Sequence, residues 1–130
     1  MINQYYWSLA QRCAAKCSLP AAWIYAQWVH ETGGFTSALC TKYNNLGGVT
    51  QEEPNNTPQP DGNCYYMQFV PPEAYADYFA WYLSQYDADG IYQAQSIAEY
   101  ATALKNGGYF GDTLENYIAG MTAAYEEAFE

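Results

Sequence analysis

The sequence predicts an α+β domain, mainly helical, with about five helices and one small β-hairpin lobe. Three observations carry this. Helical periodicity or capping signals mark five separate stretches. Turn residues crowd into one other stretch, residues 43–70, which holds Asn44-Asn45, Gly47-Gly48, Pro54, Asn55-Asn56, Pro58, Pro60 and Asp61-Gly62. The chain has 130 residues, half of them hydrophobic, which suits a single domain spanning residues 1–130 around one core.

The first helix covers residues 3–17, where Tyr6, Leu9, Ala10, Cys13 and Cys17 share a face. Ser18-Leu19-Pro20 reads as a stop and restart, with Pro20 suited to a first helical position. The second helix, 20–32, is apolar nearly all round, the mark of a helix buried in the middle of a domain. Gly33-Gly34 ends it. The apolar runs Leu46 to Thr50 and Cys64 to Val70 form the predicted hairpin, joined by a long connection. Pro71-Pro72 opens a third helix, 72–86, with Tyr75, Tyr78, Phe79 and Tyr82 on one stripe. Ser96 with Glu99 makes a capping-box pattern for a fourth helix, which Gly107-Gly108 ends. Asp112 with Glu115 repeats the signature for a fifth, running to the C-terminus.

Composition excludes several classes of partner. Four basic residues against fourteen acidic ones give a formal charge of −10, the wrong sign for nucleic acid or an anionic membrane surface. No apolar run reaches the length of a membrane span, and the N-terminus lacks the basic start and apolar core of a signal peptide. Cys13, Cys17, Cys40 and Cys64 allow three pairings, which spacing does not choose between. Buried thiols, or one to two disulfides in an exported protein, are expected rather than a metal site, because there is no CxxC pair and His30 is the sole histidine. Fifteen tyrosines and four tryptophans exceed the needs of a core this size. Some of these amphipathic rings are expected to line a surface.

Glu31 is the candidate for chemistry. It ends the buried second helix, where both the negative pole of the helix and burial raise a carboxyl pKa. Such a group holds a proton near neutral pH and can hand it to a leaving oxygen. Gln27 and Trp28 lie one turn earlier, where they could floor a cleft, although full burial is the expectation for Trp28. Neighbours on a helix point about 100° apart, so His30 is not a catalytic partner.

Several motifs extend this reading. Glu31-Thr32-Gly33-Gly34-Phe35 is followed by Asn44-Asn45-Leu46-Gly47-Gly48, then by Pro72-Glu73-Ala74-Tyr75-Ala76-Asp77-Tyr78, then by the tail from Leu104 to Tyr117. In order and in register over residues 20–120, these resemble the glucosaminidase family of bacteria and phages. Its members have a lysozyme-like core and hydrolyse peptidoglycan. The resemblance implies an endo-β-N-acetylglucosaminidase acting on the glycan strand with no cofactor, and Glu31 as its general acid. It implies a second acid in the β lobe, for which Glu52, Glu53 and Asp61 are available, with Glu53 and Asp61 ranked equal. It implies a cleft role for Tyr109, orienting substrate or stabilising positive charge on the sugar. Phe35, Tyr65 and Asn44 join Gln27 and Trp28 as candidate substrate contacts, Asn44 either bonding sugar hydroxyls or only forming the turn. The resemblance further implies an extracellular or periplasmic site of action, for a monomer or a module of a larger protein. The chain departs from the family in a longer spacing from Tyr109 to Tyr117 and in a short, proline-rich lobe. A lytic transglycosylase shares the start of the first motif but carries Gly-Leu-Met-Gln where this chain has Asn-Asn-Leu-Gly-Gly. A non-catalytic glycan-binding module, such as a part of a phage tail or secretion machine, is the alternative from another class.

Overall fold

The computed structural model describes residues 1–51 and 65–130. Among them are six α-helices: α1 (Gln4–Cys17), α2 (Ala21–Thr32), α3 (Ala38–Tyr43), α4 (Pro72–Leu83), α5 (Ile97–Asn106) and α6 (Leu114–Phe129). Two 3-10 turns, Ser84–Asp89 and Ile91–Gln93, join α4 to α5.

Local chemistry sets the boundaries. Asn3 caps α1 by accepting from the Tyr6 N–H, and Ser18 leaves it in the left-handed region at φ 62°. Pro20 stands one residue earlier than expected, at the N-cap of α2, where its fixed φ serves equally well. Gly33, at φ 62°, ends that helix, a conformation that costs glycine little. Ser37 caps the unforeseen α3 through the Cys40 N–H. Ser96 accepts from Glu99 N–H as predicted, while the Glu99 carboxylate reaches past it to the N–H of Gln95. The α6 cap is Thr113 rather than Asp112. Asp112 instead accepts from the Thr113 N–H and from the Asn116 side chain.

The predicted β-hairpin lobe is corrected. Among the described residues there is no strand, only one antiparallel bridge between Thr50 and Tyr66. Two backbone bonds flank it, Gln51 N–H to Tyr65 O at 2.8 Å and Met67 N–H to Val49 O at 3.0 Å. On the side of the bridge away from residues 52–64, Asn45 takes the place of further pairing. Its side chain donates to the carbonyls of Val49 and Met67 and accepts from the N–H groups of Gly47 and Val49. A buried amide thus does the pairing that a second strand would do.

The core centres on α2, whose Ile24, Tyr25, Ala26, Gln27 and Trp28 are all buried. It packs against α1 and α6, and α1 also packs on α4. The two chain ends meet where Trp7, Tyr25 and Phe129 come into ring contact. Asp77 ties α4 to α1 through Arg12, at 2.7 and 2.9 Å, so this member of the third motif is a brace between helices. Cys13, Cys17 and Cys40 are free, buried thiols. Cys64 lies outside the described residues.

Candidate active site

Glu31 occupies the last turn of α2, held there by a compact stop. Thr32 Oγ donates to the Trp28 carbonyl at 2.7 Å and accepts from the Phe35 N–H at 2.8 Å, while the N–H groups of Gly33 and Gly34 both close on Val29 O. The residue is exposed, yet desolvation raises its carboxyl pKa above the ordinary 4.5. Solvent therefore reaches a carboxyl that protein also crowds, and the crowding favours its protonated form.

The neighbours of Glu31 come from distant parts of the chain. Tyr117 of α6 donates its hydroxyl proton to Glu31 Oε1 at 2.7 Å, a bond that pulls the carboxyl pKa down against the larger effect of burial. Tyr117 is itself clamped. Phe110 stacks on one face at 3.8 Å with the rings 4° from parallel, and His30 meets it edge-on at 4.8 Å. His30 therefore packs against α6 and does not face a reacting centre. Phe110 is in turn held by Lys105, whose ammonium sits 5.2 Å over its ring and donates to Asp112 O at 2.7 Å.

Tyr109 is fixed through a different contact. Its hydroxyl donates to the Gly47 carbonyl at 2.9 Å. Burial first, and the charge of Glu31 second, push its pKa up, so it is a neutral phenol within electrostatic reach of Glu31. Gly47 allows the approach, since an added Cβ would stand 2.6 Å from the Tyr75 hydroxyl and 2.7 Å from that of Tyr109. The Tyr75 hydroxyl is buried and makes no hydrogen bond.

The other expected site residues differ in how far they face solvent. Gln27 and Trp28 are both 0% exposed and offer no surface to a ligand. Gln27 serves the site from behind: its Oε1 accepts from Tyr100 OH at 2.5 Å. Its Nε2 makes no hydrogen bond of ordinary geometry, although it faces the Tyr117 oxygen closely enough to lower that phenol's pKa. Asn44 is in the left-handed region at φ 54° and donates to Phe69 O at 2.8 Å, so its amide holds the loop. Phe35 stacks on Tyr6 at 4.1 Å, joining the α1–α2 packing. Tyr65 is 42% exposed. Glu52, Glu53 and Asp61 lie outside the described residues.

What sequence reasoning missed is Tyr117 as the partner of Glu31. Its signal was present in the tail motif, which ends on this tyrosine, but a sequence separation of 86 hid the contact. Among the described residues, no three His, Cys, Asp or Glu side chains converge as metal ligands would.

Comparison with known proteins gives one family. The model for Glucosaminidase, described as mannosyl-glycoprotein endo-beta-N-acetylglucosaminidase, matches residues 7–129. No curated protein and no solved structure matches the chain.

Proposed function

The chain belongs to the glucosaminidase family, and from that membership we propose that it is a glycoside hydrolase cutting the peptidoglycan glycan strand at N-acetylglucosamine, with Glu31 as general acid. The observation that carries this reading is the state of Glu31: exposed, desolvated, and bonded through Oε1 to Tyr117. With Oε1 engaged, Oε2 is the oxygen that presents the proton to the leaving glycosidic oxygen. Positive charge then grows at the anomeric carbon, where the Tyr109 oxygen, its proton turned to Gly47 O, presents a lone pair. The water that completes hydrolysis is activated by Glu53 or Asp61 where one of them stands about 6.5–9.5 Å from Glu31, giving inversion. Without such a group, the 2-acetamido oxygen of the substrate attacks first, giving retention. Because the substrate is cell wall, the site of action is outside the cytoplasmic membrane.

Mass spectrometry of digested, purified peptidoglycan tests this. New reducing ends on N-acetylglucosamine are expected. Reducing muramic acid would make the chain a muramidase, and 1,6-anhydro ends would make it a lytic transglycosylase.

The Tyr117–Glu31 bond carries a pH prediction. The proton donor is lost as pH rises through the Glu31 pKa, which sets the alkaline limb of the profile. Tyr117 stabilises the carboxylate and so holds that pKa down. In Tyr117→Phe the alkaline limb of kcat/KM should therefore move to higher pH, whatever happens to its height. A limb that stays put or moves to lower pH would show that this bond does not tune the acid.

A further inference from the structure

A run of aromatic rings leads away from the site. Tyr109 meets Tyr82 of α4 at 5.9 Å between ring centres, Tyr82 meets Tyr78 at 6.2 Å, and Tyr78 meets Trp81 at 5.4 Å. Tyr109, Tyr82 and Tyr78 are each half-buried. Trp81 is 56% exposed, while Tyr75 and Phe79 of the same helix are fully buried. A lone exposed tryptophan is ordinary, but this one ends a continuous track whose other end is the tyrosine beside Glu31 and Gly47. We propose that Trp81, Tyr78 and Tyr82 form an accessory binding track on which further N-acetylhexosamine units of the same glycan strand stack, outside the cleft that holds the scissile bond. The proposal rests on reading the Glu31 cleft as the hydrolytic site.

Charge favours a neutral sugar as the occupant over a phosphate or carboxylate polymer. The chain has four basic side chains. Arg12 and Lys16 are engaged by Asp77, and Lys105 donates to the carbonyls of Phe110 and Asp112. The fourth, Lys42, is on α3, and among the described residues the cation that stands over a ring is Lys105, over Phe110 and not over the track. Of the two acids on the same helix, Glu73 lies in its first turn, two turns before Trp81, and Asp77 is matched by Arg12 and does not confront a ligand with an unpaired charge. Flat rings with hydroxyl or indole edges suit the apolar C–H face of a pyranose while their polar tips meet its hydroxyls.

The test separates binding from cleavage. In a Glu31→Gln background, retention on purified, protein-free sacculi is compared with and without Trp81→Ala. Since Trp81 is largely exposed, the melting temperature should not change. Retention should weaken about three- to tenfold, and Trp81→Tyr, which keeps a ring, should restore most of it. With Glu31 intact, Trp81→Ala should raise KM on long glycan while leaving kcat/KM on a short chito-oligosaccharide unchanged. A loss of retention smaller than about twofold, or equal losses for Ala and Tyr, would overturn the track. If the wild-type protein fails to hydrolyse wall while Trp81→Ala still weakens retention, the hydrolase reading falls and the track stands.

Discussion

Glu31→Gln is expected to lower the rate of glycan hydrolysis by about 10²–10⁴-fold, the usual contribution of a positioned general acid. The amide is close to isosteric and can still accept the Tyr117 hydroxyl proton through its oxygen, so geometry is preserved and only the transferable proton is lost. The same substitution has a stability signature that follows from the burial of this carboxyl. Burial raises the Glu31 pKa above its ordinary 4.5, so the folded state binds this proton more tightly than the unfolded chain. Stability therefore falls as pH rises from about the unfolded value through the folded one. Below that window both states are protonated and the cost vanishes. The Gln variant should match the wild type in acid and melt at a higher temperature as pH rises above the ordinary carboxyl value, where the unfolded chain ionises more readily than the folded one. Turbidity clearing of wall suspensions reads the first effect, and thermal melts across pH read the second. Equal clearing by the two proteins would remove Glu31 from the mechanism.

Why this carboxyl was legible in the sequence, and its partners were not, follows from the range of the forces involved. The Glu31 position is fixed by local signals: an apolar run that must be buried, then Gly33 free to take a positive φ. The Ser96 cap and the buried face of α1 were legible for the same reason, since each interaction closes within one or two helical turns. Helix α3 was not, because six residues are too few to show a period. The hairpin expectation failed at Asn45, an ordinary turn residue by its sequence. Its amide instead makes four hydrogen bonds to backbone on both sides of the Thr50–Tyr66 bridge. Likewise Gln27 and Trp28 share a helix with Glu31, but only tertiary packing decides that Gln27 is wired to Tyr100 behind the site. Periodicity places a side chain on a face and does not say which element covers that face.

Trp28 shows what that coverage does, and Trp28→Ala is expected to cost about 3–5 kcal/mol of stability, the range for emptying a large aromatic site in a core. That is a large share of the roughly 5–15 kcal/mol that holds a domain together. The ring is 0% exposed and meets Tyr75 and Phe79 of α4 edge-on, at 5.4 and 5.8 Å. It is thus the wedge between the helix that ends in Glu31 and the helix whose Tyr75 hydroxyl abuts Gly47. Its loss should loosen the packing of both helices, so activity should fall even at temperatures where the variant stays folded. Trp28→Phe is the informative companion. It leaves a smaller void, and it removes an indole N–H that makes no hydrogen bond in the core, a group whose burial is itself unfavourable. These terms oppose each other, so the Phe variant should lose far less than the Ala variant in urea unfolding. A cost for Trp28→Ala below about 1 kcal/mol would mean that the surrounding rings collapse into the space. The separation of α2 from α4, and with it the distance from Glu31 to Gly47, would then be set by something other than this side chain.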